Sequence, residues 1–135
     1  MIEYREEKNL TTEEFINVLK NSTLGERRPI DDLQRISSML RYANLIITAR
    51  HEGKLVGVAR SLTDFAFCTY LSDLAVDEAY QRRGIGRELI KFTKSLTPQA
   101  RLILLAAPRA VDYYPHIGMI RHEYCFYIDR TEEIT

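Results

Sequence analysis

The chain has no surplus of charge. Nineteen Lys and Arg balance nineteen Asp and Glu in 135 residues, so the formal net charge at neutral pH is zero. That balance argues against nucleic acid or an anionic membrane as the main partner, since both favour a basic surface. No apolar run is long enough to span a bilayer. The N-terminus, Met1-Ile2-Glu3-Tyr4-Arg5-Glu6-Glu7-Lys8, is charged and lacks the apolar core of a signal peptide, which predicts a cytoplasmic protein. Only two cysteines occur, Cys68 and Cys125, without metal-type spacing. They read as buried free thiols in a reducing compartment, and no metal is implied. No internal repeat, linker or low-complexity tract divides the sequence, so one domain over residues 1–135 is expected.

What is present is an ordinary soluble composition with clear periodicities. Ile2-Glu3-Tyr4-Arg5 alternates as a strand does. Thr11 with Glu14 is a capping box ahead of a helix from about Thr12 to Asn21. Asp31 or Asp32 can cap a second helix, with Leu33, Ile36 and Leu40 on its buried face. Leu45–Ala49 and Leu55–Ser61 are predicted strands joined by a turn at His51-Glu52-Gly53-Lys54. Phe65 to Val76 reads as a longer strand. Ile85, Leu89, Phe92 and Leu96 then recur with helical spacing, and Thr97-Pro98 ends that helix. Arg101 to Ala107 is a continuous apolar run, as in a strand buried on both faces. Ala110 to His116 predicts a short helix ended by Gly118. Met119-Ile120 and Tyr124 to Ile128 read as terminal strands.

The informative stretch is Leu71 to Ile90. It runs from an apolar strand through Gln81-Arg82-Arg83-Gly84-Ile85-Gly86 into an amphipathic helix. Gly84 and Gly86 let backbone amides approach a ligand closely, and a helix start offers unpaired N–H groups at its positive dipole end. Strand, glycine loop and helix start together suit phosphate. A nucleotide-hydrolysing loop would end in Gly-Lys-Ser/Thr, and a dinucleotide loop would place a third glycine where Leu89 stands; neither is present.

The same six residues resemble the Gln/Arg-x-x-Gly-x-Gly/Ala signature of the GNAT superfamily of acyl-CoA-dependent N-acyltransferases. A second segment, Ala110 to Met119, resembles that family's Ala…aromatic-Tyr-x-x-x-Gly-Phe, with its tyrosine on Tyr114. Met119 replaces the usual final aromatic, and Pro115 directly after the tyrosine is less usual. The resemblance covers essentially the whole chain. It implies an α/β (α+β) GNAT fold: a mixed central sheet with two splayed strands, here Leu71–Val76 and Leu102–Ala106, and helices on both faces. It implies acetyl-CoA as cosubstrate. The main chain of Leu74, Ala75 and Val76 would meet pantetheine, and Gln81, Arg82, Arg83, Gly84, Ile85, Gly86 and Arg87 the pyrophosphate. Tyr114 would be the general acid, with Tyr113 beside it packing in the core.

A base is harder to place. Some polyamine-acetylating members carry Glu-Asp where this chain has Ser72-Asp73, so Asp73 matches only the second acid and stands as a catalytic candidate or a strand-end hydrogen-bonding group. The implied function is acetyl transfer to an amine of a small molecule or peptide by direct attack in a ternary complex. A non-catalytic CoA-binding sensor or subunit is the rival. Many members of the family are dimers, so a homodimer is compatible. Arg27 and Arg28, in the loop Asn21–Asp32, are either a solvated basic pair or a grip on an acceptor carboxylate.

Overall fold

Thr11 starts the first helix as its signature implies. Its Oγ1 accepts the Glu14 amide at 3.1 Å, and the Glu14 carboxylate accepts the Thr11 amide at 3.3 Å. Helix α1 (Thr12–Asn21) buries Phe15, Val18 and Leu19. Asp32 caps α2 (Leu33–Tyr42) by accepting the Arg35 amide at 3.0 Å. Ile36 and Leu40 are buried as the spacing predicts, whereas Leu33, at the first helical position, is exposed.

The structure, a computed structural model, describes residues 1–135 and resolves into two compact units, Met1–Leu105 and Ala106–Thr135. The first unit carries a five-stranded sheet whose spatial order is its chain order: β1 (Ile2–Glu6), β2 (Leu45–His51), β3 (Lys54–Thr63), β4 (Cys68–Val76) and β5 (Arg101–Ile103). Neighbours are antiparallel except β4 and β5, which are parallel. The β2–β3 turn is Glu52-Gly53. Both residues have positive φ, 51° and 85°, the sign a type I′ turn requires.

Helices cover both sheet faces. Val58 packs into a core with Phe15, Leu19, Ile36 and Leu40 from α1 and α2. Its neighbour Gly57 faces the other way, toward α3 (Ile85–Leu96). A Cβ on Gly57 would lie 3.2 Å from both Ile85 Cγ2 and Leu89 Cδ1, so this glycine is what lets α3 settle on the sheet. Arg50, on β2, is a buried charge paired with two carboxylates. It donates to Glu7 at 2.8 and 3.0 Å, to Glu14 at 2.9 Å and to the Gly53 carbonyl at 2.9 Å, joining α1, the turn and the segment after β1. No helix is long and apolar enough to cross a membrane.

Several elements differ from the sequence expectation. β4 begins at Cys68 and not at Phe65, because the Asp64 carboxylate accepts the amides of Ala66, Phe67 and Cys68 and makes the preceding residues a turn. Helix α3 buries Ile85, Leu89, Ile90 and Thr93, while Leu96 is exposed. Thr93 and Thr97 enter the core by returning their hydroxyls to the carbonyls of Leu89 and Thr93, at 2.8 and 3.1 Å. An apolar count along the helix therefore misjudges its inner face. β5 is three residues long and lies at the sheet edge, with Ile103 and Leu105 exposed. Cys68 and Cys125 are free and exposed, not buried, since neither lies among the core side chains.

The second unit holds a one-turn helix α4 (Tyr113–His116) between 3₁₀ turns at Pro108–Ala110 and Thr131–Glu133. The terminal strands expected at Met119-Ile120 and Tyr124–Ile128 do not form, and Tyr124, Phe126 and Ile128 are exposed. Alternation marks the faces a strand would have, but a strand also needs a hydrogen-bonded neighbour, and this unit contains none.

Candidate active site

The loop after β4 is built to keep its amides free. Asp77 accepts the Ala79 amide at 2.9 Å and so forms the 3₁₀ turn Glu78–Tyr80. Gln81 then folds back, donating Nε2 to the Val76 carbonyl at 3.0 Å. Arg82 and Gly84 both adopt left-handed backbone, with φ of 65° and 80°. Such left-handed turns gather successive N–H groups into a concave nest for anions. Gly84 is the N-cap of α3, and no side chain caps it. The Glu88 amide is the first to find an intrahelical carbonyl, that of Gly84 at 3.0 Å. The amides of Ile85, Gly86 and Arg87 therefore face outward from the helix start. A Cβ on Gly84 would meet nothing within 4 Å, so the space in front of the loop is open. Arg82 and Arg83 on the loop and Arg87 on the first turn of α3 are all exposed. Arg83 lies over the Tyr80 ring, 5.2 Å from its centre, and the Tyr80 hydroxyl meets His51 Nδ1 at 2.8 Å.

Immediately before this loop β4 has an open edge. β5 pairs only with Cys68 to Tyr70, so from Leu71 to Val76 no strand lies on that side. On the other side the register with β3 continues, Val58 opposite Ala75 and Ala59 opposite Leu74. The Asp77 amide donates to the Val56 carbonyl at 2.8 Å. Alternation then turns the amide and carbonyl of Ala75 toward β3, and those of Leu74 and Val76 toward the open side. The Ala75 methyl is buried in the core.

Asp73 is fully buried on the same strand. One carboxylate oxygen accepts from Arg28 Nε at 2.5 Å and the other from Arg60 Nε. Arg60 also donates to the Met39 carbonyl at 3.0 Å and to the Ser72 hydroxyl at 3.1 Å. Arg28 also donates to the carbonyls of Ser72 at 2.8 Å and Arg27 at 2.9 Å. The ladder shifts register between Arg60 and Ser61, so Ser72 is a bulge residue, fixed at both its hydroxyl and its carbonyl. A carboxylate with both oxygens on guanidinium groups is arranged to hold position. Of the two arginines singled out in the sequence, Arg28 is drawn into this cluster and Arg27 stays exposed. Arg60 belongs to no sequence motif. Its signal was an arginine in the apolar strand Leu55–Ser61, facing an aspartate in the next strand.

Tyr114 lies in the second unit, on α4. Its carbonyl accepts the amides of Ile117 at 3.2 Å and Met119 at 3.0 Å, and Gly118 closes the turn with φ 99°. The Tyr113 and Tyr114 rings meet edge to face at 5.3 Å. Burial, and then the neighbouring Tyr113, raise the Tyr114 phenol above its ordinary pKa, so it is protonated at neutral pH.

A family profile described as the acetyltransferase (GNAT) family matches residues 9–119. A protein named GCN5-related N-acetyltransferase 2, chloroplastic, from Arabidopsis thaliana is 35% identical over 72 residues, 51% of this chain and 28% of that protein. A histone acetyltransferase named TAP1 from Glycine max is 34% identical over 68 residues, 48% of this chain and 29% of that protein. The chain thus spans less than a third of these relatives. Among solved structures, a GNAT-family acetyltransferase, SP0256 from Streptococcus pneumoniae TIGR4, superposes with a TM-score of 0.71 at 21% identity, covering 96% of this chain and 99% of that one. The aminoglycoside N-acetyltransferase AAC(6')-Iy, solved in complex with CoA, gives a TM-score of 0.72 at 15% identity over 97% of this chain and 95% of its own. At these identities the structural likeness speaks for the fold.

Proposed function

The chain belongs to the GNAT acetyltransferase family, and from that premise we propose that it moves an acetyl group from acetyl-CoA to a primary amine of a small molecule or peptide, by direct attack while both are bound. One observation carries the reading: an open backbone edge on β4 leads directly into an uncapped, left-handed loop at the start of α3. An extended, amide-bearing arm can add to such an edge as a strand adds to a sheet. A pyrophosphate suits the loop that follows. Those two chemistries, in that order, are what CoA presents, and bound acetyl-CoA supplies an acetyl group activated as a thioester.

In this reading Leu74 and Val76 bind by main chain, while Ala75 between them keeps its own amide and carbonyl toward β3 and so is not a main-chain contact, and the amide of Leu74 or Val76 polarises the carbonyl under attack. Gln81 holds the loop shut. Arg82, Arg83, Gly84, Ile85, Gly86 and Arg87 bind phosphate through amides and guanidinium groups. The family motif that Ala110–Met119 resembles puts the proton donor to the departing sulfur on Tyr114, and a phenol is protonated at neutral pH. Asp73 serves as a positioning residue through Arg28 and Arg60.

One observation favours a second reading, a CoA-binding module without turnover. Asp73 is the one acidic residue on β4, and both its oxygens are bonded to arginines. Thiol release from acetyl-CoA across a broad amine panel separates the two. Turnover with any amine supports the transferase. A CoA-dependent rise in melting temperature with no turnover supports the module, and absence of both removes the site.

A further inference from the structure

The cluster around Asp73 does not cancel its own charge. Two guanidinium groups share one carboxylate, which leaves one net positive charge. No other acid of the same loop forms an ion pair with either arginine. Asp32 is engaged in capping α2, while Glu26 and Asp31 are exposed and form no ion pair. Arg60 is buried, whereas the Arg28 side chain is 21% exposed, so the surplus meets solvent at Arg28. A guanidinium has five N–H donors. Arg28 uses one on each of its three nitrogens, for Asp73, Arg27 and Ser72, and two remain without a protein acceptor. The group is also placed. It holds the carbonyl of Ser72, two residues before Leu74, and at about 3.3 Å per residue this is about 7 Å along the strand from the open-edge amide.

Resting on the acetyltransferase reading of this site, we propose that the acceptor is an amine that also carries a carboxylate, and that Arg28 receives that carboxylate. Two physical reasons converge. The guanidinium fork matches a carboxylate in a bidentate way, and its two spare N–H groups need an acceptor. A polycationic amine brings like charge to a wall that already holds a surplus, whereas an acceptor carboxylate neutralises it. Arg28 is itself braced by Asp73, so the fork is held in one orientation before the acceptor arrives.

The test has a binding arm and a turnover arm, both on the full chain with CoA or acetyl-CoA. In the binding arm the CoA-loaded protein is melted with N-acetyl-β-alanine and with its carboxamide. The acid is expected to raise the melting temperature at concentrations at least tenfold lower than the amide, and equal effects overturn the proposal. In the turnover arm the ratio of kcat/KM for β-alanine to that for β-alaninamide is compared between wild type and Arg28→Gln. That ratio is expected to fall at least tenfold, while the CoA melting shift persists. Arg28→Lys, which keeps the charge and loses the fork, is expected to retain an intermediate preference. An unchanged ratio in folded Arg28→Gln, or the same loss in Arg27→Gln alone, overturns the assignment. If Arg28→Gln does not fold, the wild-type binding arm decides. Acid preference in binding with no turnover of any amine would sink the transferase reading and, with it, the acceptor assignment, leaving Arg28 as a carboxylate-binding group only. Turnover with no acid preference in either arm would support the transferase reading and overturn the acceptor assignment.

Discussion

Arg50→Met removes the most heavily bonded buried cation in the sheet while keeping much of its aliphatic bulk. Arg50 now satisfies both oxygens of Glu7 at 2.8 and 3.0 Å, one oxygen of Glu14 at 2.9 Å and the Gly53 carbonyl. Without it Glu7 keeps the Thr48 hydroxyl and a distant Arg5 at 3.7 Å. Stranding one side of a buried ion pair costs about 3–5 kcal/mol. Glu7 and Glu14 retain side-chain exposures of 19% and 35%, which puts the cost at the lower end, about 3 kcal/mol. Unfolding entropy near 60 °C is about 2.1 cal/mol/K per residue, so for this chain length the loss amounts to about 10 °C in Tm. The pH dependence identifies the mechanism. Glu7 and Glu14 are both held below the usual carboxylate range, first by hydrogen bonds from Arg50, with burial opposing. A lowered folded-state pKa stabilises fully above the unfolded value of about 4.3 and is lost as pH falls through the folded value. The difference between wild type and variant should therefore be largest near pH 7 and shrink as pH falls through the acid range. Calorimetric melting at several pH values measures it. A deficit under 3 °C at pH 7, or one that does not narrow in acid, would refute the reasoning.

Gly84→Asp should fold, because aspartate tolerates left-handed backbone better than most residues, yet lose the CoA melting shift, since it puts a negative charge at the proposed phosphate nest; a hundredfold excess over Kd is worth about 2.7 kcal/mol to wild type, and the same shift in the variant would dislodge the site. Tyr114→Phe should lower kcat by about 10²–10⁴ with little change in CoA affinity, and Tyr113→Phe should be near neutral; wild-type turnover in Tyr114→Phe, with chemistry rate-limiting, would pass the role elsewhere. Gly57→Val should destabilise by about 1–3 kcal/mol through collision with Ile85 and Leu89, seen as a lower Tm, and an unchanged Tm would mean that α3 can shift at no cost.

What the sequence disclosed is what is encoded locally. Thr11 and Glu14 are three residues apart and cap α1; Glu52-Gly53 forms the hairpin turn; Gly84 starts α3 within one turn of its motif. What it hid depends on register or on distant chain. Arg60 meets Asp73 only because β3 and β4 pair as they do, and Arg28 reaches Asp73 across 45 positions. A one-residue slip would turn Asp73 to the opposite face. Thr93 and Thr97 read as polar although their hydroxyls are satisfied within the helix. Tyr124, Phe126 and Ile128 alternate as a strand would, but alternation does not provide a neighbour to pair with.

The coincidence of strand order with chain order has a kinetic consequence. β2, β3 and β4 form a meander of two hairpins, so their pairings close short loops and can assemble early. The parallel joint between β4 and β5 spans three residue pairs and must wait for α3 to bring the chain back. The β4–β5 joint is therefore expected to form last and to open first in native fluctuations. Hydrogen exchange should find the β5 amides that face β4 far less protected than those of Val58 and Ala59. Equal protection would mean that the sheet opens as one cooperative unit, with the splayed edge as firmly fixed as the meander.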